Sequence, residues 1–518
     1  MQIIRHTRVY WLSLLLCVQL QGAETTNVTI RPLSLAEAVQ LALQHNLGLQ
    51  IERYAPEIAQ FNLEAAGAYY DPILKLSGEE SFARTPAEFS PRRNLQIPPT
   101  DSSIDTFHSS ITGNAPTGLK YELFSGLTRT SGTFPPFFSQ GQFHAIDKIP
   151  EYHTEVGITL TQPLLKNFWT DAPRTLIKVN RTQLKISKLA LELLVMQTVR
   201  KVQETYYDLT AARANVKVQE KAKELAQRLL EDDKERLKIG VMAPLDEKQA
   251  QSQLASARTD LLSAQNQVTL VEDVLKNLFL DEYVPWHDVE IEPTDELFAM
   301  PESFSLSESW EKGLTLRPDF NQLKEELEKQ NIILKFRHNQ LFPSLDLVGS
   351  LGWSGLDTNF NSSVEQVRNG DNPRWGVGAV FTIPLTLRAE RNNYKVAKAI
   401  KQQALLRLKQ LEQDIILQIN DAVKLSQRNY NRVESARLAR EFAQAALEAE
   451  QQKLESGKST TFFVLELQAK LTKARSAEIQ ALADYNKSLA ELYFRDGTII
   501  ERGHIDIRFQ QDRTGTEK

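Results

Sequence analysis

Residues 34–78, SLAEAVQLALQHNLGLQIERYAPEIAQFNLEAAGAYYDPILKLSG, and residues 305–349, SLSESWEKGLTLRPDFNQLKEELEKQNIILKFRHNQLFPSLDLVG, read as two copies of one unit. Aligned without a gap at an offset of 271, they agree at ten of 45 positions. The matches include Ser34/Ser305, Leu35/Leu306, Glu37/Glu308, Pro72/Pro343, Leu74/Leu345, Leu76/Leu347 and Gly78/Gly349. Ordinary residue usage gives about three by chance. Each copy predicts a short helix, a break at Asn46 or Arg317-Pro318, a second helix, and a strand after the proline.

The duplication extends outward. Val156-Gly157 matches Val377-Gly378, Pro163 matches Pro384, Gly240 matches Gly457, and Ala257-Arg258 matches Ala474-Arg475. The chain divides into a leader over 1–23, a first repeat over 24–281, a connector over 282–303, a second repeat over 304–494, and a polar tail over 495–518. Each repeat is expected to hold a β-hairpin (about 74–163 and 344–384) and a long helical hairpin (about 177–281 and 385–494).

The strands alternate. Leu345, Leu347, Leu351 and Trp353 oppose Asp346, Ser350, Gly352 and Ser354. Trp375, Val377, Ala379, Phe381 and Ile383 share a face, and Val156, Ile158 and Leu160 alternate with Glu155, Gly157, Thr159 and Thr161. Such ten-residue alternating segments suit a membrane barrel wall, and a soluble sandwich has the same pattern. The segment 83–151 is much longer than its counterpart 355–373. Its stretches Phe107–Gly113 and Gly118–Thr130, around Asn114-Ala115-Pro116, fit either an additional hairpin or an irregular surface loop.

The helices discriminate better. Ile177 to Ile239 and Leu385 to Ser456 contain neither proline nor glycine. At 1.5 Å per residue, a run of that length makes a rod of roughly 90 Å, far longer than an average globular helix. The second rod carries two apolar stripes. Ala404, Leu408, Leu411, Ile415, Ala422 and Leu425 form one; Leu405, Ile416, Ile419, Val423, Tyr430 and Val433 form the other. One seam suffices for a two-stranded coiled coil, whereas two let a helix grip neighbours on both sides of a ring.

Composition excludes several classes. The chain is 41% hydrophobic and 25% charged with a net charge of −5, and no basic run with interleaved aromatics argues for nucleic acid. Arg5, His6 and Arg8, the apolar run Val9–Val18 and the following Gln19–Ala23 have the layout of a secretory signal peptide. Cys17, the only cysteine, lies inside that run, so the exported chain has no disulfide or thiolate metal site. No metal or cofactor constellation emerges from the eight scattered histidines. Gly457-Lys458-Ser459 is not a phosphate loop, because Gln452 stands where the first glycine is required.

Together these features resemble the TolC-like outer-membrane efflux proteins. The resemblance rests on the duplication, on Gln162-Pro163-Leu164-Leu165-Lys166-Asn167-Phe168 at the strand exit, on the two glycine turns, and on Arg495-Asp496-Gly497-Thr498-Ile499-Ile500. It implies an α+β membrane protein: a homotrimer with a transmembrane β-barrel, four strands per subunit, continued by a long periplasmic α-helical barrel. Such a channel exports substrates passively in efflux or type I secretion. It lies in the outer membrane of a Gram-negative bacterium, contacts outer-membrane lipid, and works with a periplasmic adaptor (membrane fusion) protein and an inner-membrane transporter. No catalysis and no cofactor are expected. The competing reading is a periplasmic adaptor or structural coiled-coil protein without a pore.

The resemblance also places the periplasmic tips. Gly240, Val241, Met242, Ala243 and Pro244 form one turn, and Ser456, Gly457, Lys458, Ser459 and Thr460 form the other. Both are expected to contact the adaptor. Phe463 and Glu466 stand where the family often has acidic gate residues, which makes them candidates for the entrance gate, with Phe463 departing from the acidic pattern. Their three-residue spacing puts them on one helix face. The bland alternative is that Phe463 packs in a seam and Glu466 is a solvated surface charge.

Overall fold

The computed structural model describes residues 29–90, 95–97, 99–133, 137–139, 142–144, 149–239, 244–282 and 284–502. The expected leader over 1–23, Gly240, Val241, Met242 and Ala243, and the tail after 502 lie outside the described residues. Along the chain, β1 (Thr29–Leu33) precedes α1 (Leu35–His45), α2 (Leu47–Gly67) and β2 (Ile73–Thr85). Short strands β3 (Glu88–Ser90) and β4 (Leu95–Ile97) lead to β5 (Thr100–Asn114) and β6 (Lys120–Gly132). Then come β7 (Phe137–Ser139), β8 (Gln142–His144), β9 (Glu151–Pro163), α3 (Ala172–Lys238), α4 (Pro244–Phe279) and β10 (Val289–Pro293). The second half holds α5 (Leu306–Leu316), α6 (Pro318–Asn339), β11 (Ser344–Asp357), α7 (Phe360–Asn369), β12 (Pro373–Thr382), α8 (Arg388–Glu455) and α9 (Thr461–Arg495).

One offset relates the starts of three element pairs: α1 and α5 at 35 and 306, α2 and α6 at 47 and 318, β2 and β11 at 73 and 344. The second helix of each pair starts for a different reason. Asn46 caps α2, its side chain accepting the Leu49 N–H at 3.0 Å. Before α6 the equivalent position is Arg317, and Pro318 occupies the first helical site, where its missing N–H costs nothing.

The chain forms two compact units. The first comprises Met1–Ala42, Val202–Phe298 and Ala436–Ala483. Here β1 and β10 pair in parallel, from Thr29 opposite Val289 to Leu33 opposite Pro293. The Tyr206 hydroxyl anchors the end of that ladder, 2.9 Å from the Leu33 carbonyl and 2.7 Å from Asp295 Oδ2. Burial and the Asp295 carboxylate raise the pKa of this phenol, so it remains a donor. Two apolar clusters hold the helical ends: Ala226 and Leu230 of α3 against Ala250, Leu254 and Ala257 of α4, and Leu229 of α3 against Leu447 of α8 and Val464, Leu465 and Leu471 of α9.

The second unit comprises Leu43–Lys201, Ala299–Ser435 and Asp484–Lys518. Its core joins Phe320 of α6, Ile415, Ile419, Ala422 and Val423 of α8 and Leu492 of α9. Members of both predicted α8 stripes therefore meet in one cluster, because Ile415 and Ala422 lie beside Ile419 and Val423 on the wheel. The unit also holds an antiparallel sheet of order β12-β11-β9-β6-β5-β2. Four strands were expected from the resemblance; this sheet has six. The additional pair is β5/β6, closed by a turn in which Ala115 N–H donates to the Leu119 carbonyl at 2.7 Å and Gly118 adopts φ +86°. The long segment 83–151 therefore contains a hairpin, flanked by the small pairs β3/β4 and β7/β8.

Candidate channel wall and helical tip

Register assigns every side chain of the sheet to one of two faces, because neighbours alternate along a strand. One row of cross-strand partners runs Leu74, Ile111, Leu123, Ile158, Leu351, Trp375 across all six strands. Each is apolar, and Leu74, Leu351 and Trp375 are 61%, 45% and 78% exposed in the single chain. Leu76, Val156, Trp353, Leu160, Val377 and Phe381 extend this face. The adjacent row runs Lys75, Ser110, Phe124, Gly157, Gly352, Arg374 and belongs to the opposite face. That face also carries Glu79, His108, Glu122 and Glu155, with an Arg374–Glu155 ion pair at 3.5 Å.

The apolar face ends in charge. Glu80, Asp105, Arg129 and Tyr152 are successive partners in one row, and Arg129 pairs with Asp105 at 3.2 Å. Just inside this row, α7 packs on the sheet: the Thr154 hydroxyl lies 2.6 Å from that of Ser363, which is fully buried. A Cβ on Gly355 would lie 2.0 Å from the Ser363 carbonyl oxygen, so only glycine lets the helix approach this closely. Among the described residues β2 pairs only with β5 and β12 only with β11, so each presents an open edge.

The predicted tip residues among those described fall at helix ends in the first unit. Pro244 is the first residue of α4. Ser456, Gly457, Lys458, Ser459 and Thr460 join α8 to α9, and all but the half-buried Ser459 are exposed. The turn is a Schellman motif: Lys458 N–H donates to the Lys453 carbonyl at 2.8 Å, Gly457 N–H to the Leu454 carbonyl at 3.1 Å, and Gly457 has φ +73°. Ser459 Oγ donates to Glu450, and this bond, aided by Lys453, holds the Glu450 carboxyl below its usual range.

The start of α9 turns Thr461, Val464 and Leu465 inward and leaves Phe462, Phe463 and Glu466 exposed. Phe463 and Glu466 thus share the open face, and Phe463 packs edge-on against Phe462 at 5.6 Å. Glu466 is not an isolated charge: Lys470 lies one turn on, 2.8 Å away. That i, i+4 partner is visible in the sequence, and the reading of Glu466 as an acidic group overlooked it. Beneath the open face, Thr461 Oγ1 donates to Asp233 Oδ1 at 3.2 Å. Asp233 is fully buried, its Oδ2 has no hydrogen-bond partner among the described residues, and desolvation raises its pKa.

In the second unit a cavity of about 510 Å³ is lined by Arg200, Arg317, Asp319, Gln418, Phe494 and Arg495, among others. Several of its polar groups bind one another. Arg317 grips both Asp319 oxygens at 3.0 and 2.6 Å, Arg495 reaches Gln418 at 2.8 Å and Glu491 at 2.6 Å, and Arg200 reaches Glu491 at 2.8 Å. It is a structural clasp between helices. No nucleophile with an adjacent base appears in it.

A family model described as outer membrane efflux protein matches residues 145–278 and 311–498. The chain belongs to that family. The match spans β9, both long helical hairpins and the second β-hairpin. Solved structures agree in fold. The Campylobacter jejuni CmeC outer membrane channel superposes with a TM-score of 0.61 at 18% identity, covering 90% of this chain and 86% of that one. The Vibrio cholerae outer membrane protein VceC gives 0.62 at 16%, covering 89% and 96%. The open state of the Neisseria gonorrhoeae MtrE outer membrane channel gives 0.59 at 16%, covering 90% and 89%. A search of curated proteins finds no match.

Proposed function

We propose that this efflux-family chain is one subunit of a passive trimeric channel in the outer membrane of a Gram-negative bacterium. It would receive substrates from a periplasmic adaptor and an inner-membrane transporter and release them outside without chemistry of its own. The observation that carries this reading is the two-faced sheet with an open edge at each end. An apolar row that crosses every strand, exposed on all but the half-buried Ile158 of β9, suits lipid, and the polar face suits a water-filled lumen. Unpaired backbone groups at the β2 and β12 edges are not tolerated in hydrocarbon, so the edges must join other copies.

The helices support assembly as well. Leu406, Leu417, Leu438 and Phe442 of α8 are 58%, 59%, 52% and 72% exposed in the single chain. At 100° per residue Leu406 and Leu417 in the second unit fall about 20° apart, and Leu438 and Phe442 in the first about 40° apart, each pair suited to a neighbouring copy. Gly457, Lys458 and Thr460 then form a tip surface for the adaptor, and Phe463 with Glu466 lines the entrance.

Two measurements test this. Purified protein should need detergent to remain dispersed and should form ion-conducting pores in planar bilayers; a monodisperse, detergent-free protein without conductance refutes the channel. A photo-crosslinker at Lys458 should capture a periplasmic adaptor. Capture from Lys201 but not from Lys458 would remove the tip from the contact.

A further inference from the structure

The geometry points to an eighteen-stranded barrel, closed by three copies that each add six strands through β2–β12 contacts. The inference rests on the trimeric channel reading and departs from the four-strand contribution that the resemblance implies. The additional hairpin is in the wall itself. β5 pairs with β2 from Ile73/Thr112 to Thr85/Thr100, and β6 pairs with β9 from Lys120/Thr161 to Thr130/Glu151. A hairpin folded into the lumen or over the rim would leave β2 paired with β9, whereas here two strands stand between them.

Both faces continue across the insertion. Ile111 and Leu123 fill the apolar row between Leu74 and Ile158, and His108 and Glu122 fall on the polar face. The charged boundary continues too, through Asp105 and Arg129. Loop lengths follow the same pattern. The β5/β6 turn spans five residues, 115–119, at one end of the sheet. At the other end the connections 86–99, 133–150 and 358–372 are long. Short turns on one side and long loops on the other are the habit of outer-membrane barrels.

Direction fixes how copies join. Every neighbouring pair in the sheet is antiparallel, and six is even, so β2 and β12 run in opposite senses. The β2 edge of one copy therefore meets the β12 edge of the next as an ordinary antiparallel pair. With strands about 4.8 Å apart and tilted by about 40°, eighteen strands enclose a backbone diameter of about 36 Å, against about 24 Å for twelve. The cross-section at the outer exit is thereby enlarged about 2.3-fold. The partner that fits the two edges is a second copy of this chain, and the consequence is an exit that admits bulkier cargo than a twelve-stranded wall does.

Paired cysteines in the intact protein, inserted in its membrane, test the wall. Leu76→Cys with Ser109→Cys should form an intrachain disulfide, because these residues face each other. Leu76→Cys with Val156→Cys should not, since three strand spacings, about 14 Å, separate them. The reverse pattern overturns the inserted hairpin. Leu76→Cys scanned against Val377→Cys, Ala379→Cys and Phe381→Cys should give interchain crosslinks that run to a covalent trimer. A covalent ladder ending at dimer means twelve strands and overturns the count while leaving a channel in place. Pores with the Leu76/Ser109 disulfide should admit neutral polymers from the outer side that a variant lacking residues 100–132 excludes; equal exclusion overturns the wide exit. Absence of any conductance overturns the channel reading instead.

Discussion

Replacing Arg317 should loosen the second unit by an amount the geometry defines. Its guanidinium side chain is 7% exposed, and Asp319 is 22% exposed. Nε and one terminal nitrogen bind the two Asp319 oxygens at 3.0 and 2.6 Å, while the other terminal nitrogen lies 3.0 Å from Gln418 and 3.4 Å from the Arg495 carbonyl. Arg317→Met removes all four contacts and strands a partly buried carboxylate, a loss of about 3–5 kcal/mol for a fully buried pair and nearer 3 here, since water reaches Asp319. Asp319 keeps one bond, from the Phe320 N–H at 2.9 Å, and Gln418 keeps Arg495. Arg317→Lys retains the charge without the two-pronged fork and should lose about half as much. Unfolding of such an assembly is a rate measurement, so the assay is loss of the folded oligomer at fixed temperature in detergent. A loss of 3 kcal/mol, if absent from the transition state, speeds that loss by roughly 150-fold. Asp319→Asn combined with Arg317→Met should show a coupling of about 2 kcal/mol in a double-mutant cycle. Additivity within about 0.5 kcal/mol would refute the clasp.

Three further outcomes are expected. If Glu466 and Lys470 line the entrance, Lys470→Gln should shift the reversal potential toward cation selectivity by uncovering Glu466; no shift with either Lys470→Gln or Glu466→Gln removes both from the duct. Asp233 has its carboxyl pKa raised by burial, so native protein holds its proton more tightly than unfolded chain does. Its ionisation therefore destabilises the fold increasingly as pH rises from the ordinary carboxylate range through the raised native value. Asp233→Asn should accordingly raise thermal resistance at pH 8 and give little gain at pH 4, and an equal gain at both refutes the assignment. Gly457→Ala and Gly497→Ala separate backbone strain from crowding: both have positive φ, but a Cβ at Gly457 meets nothing within 4 Å among the described residues, whereas one at Gly497 lies 2.9 Å from Leu316 Cβ. The first should cost about 1 kcal/mol and the second at least twice that, read by limited proteolysis; equal sensitivity of the two variants contradicts this.

The features legible in the sequence were local or repeated. Long runs free of proline and glycine, with apolar residues at helical spacing, favour one continuous helix, so α3 and α8 were readable from Ile177–Ile239 and Leu385–Ser456. Offset matches marked equivalent element starts because capping and proline chemistry act within a few residues. The Glu466–Lys470 pair was equally local.

Tertiary structure decided what depends on distant partners. The stretches Phe107–Gly113 and Gly118–Thr130 fit an additional hairpin or an irregular surface loop, because a local pattern does not report which strands lie beside it. Only the ladders to β2 and β9 place those strands inside the sheet. β1 and β10 are short, end in Pro32-Leu33 and Glu292-Pro293, and find each other across the whole first repeat. The clasp at Arg317 joins positions 101 and 178 residues away. Sequence alone therefore determined the rods, the repeat and the alternating strands, since each is set within a turn or a strand of its own residues. The six-stranded sheet and the helical clasp were fixed by folding, which brings together groups whose pairing leaves no periodic trace in the chain.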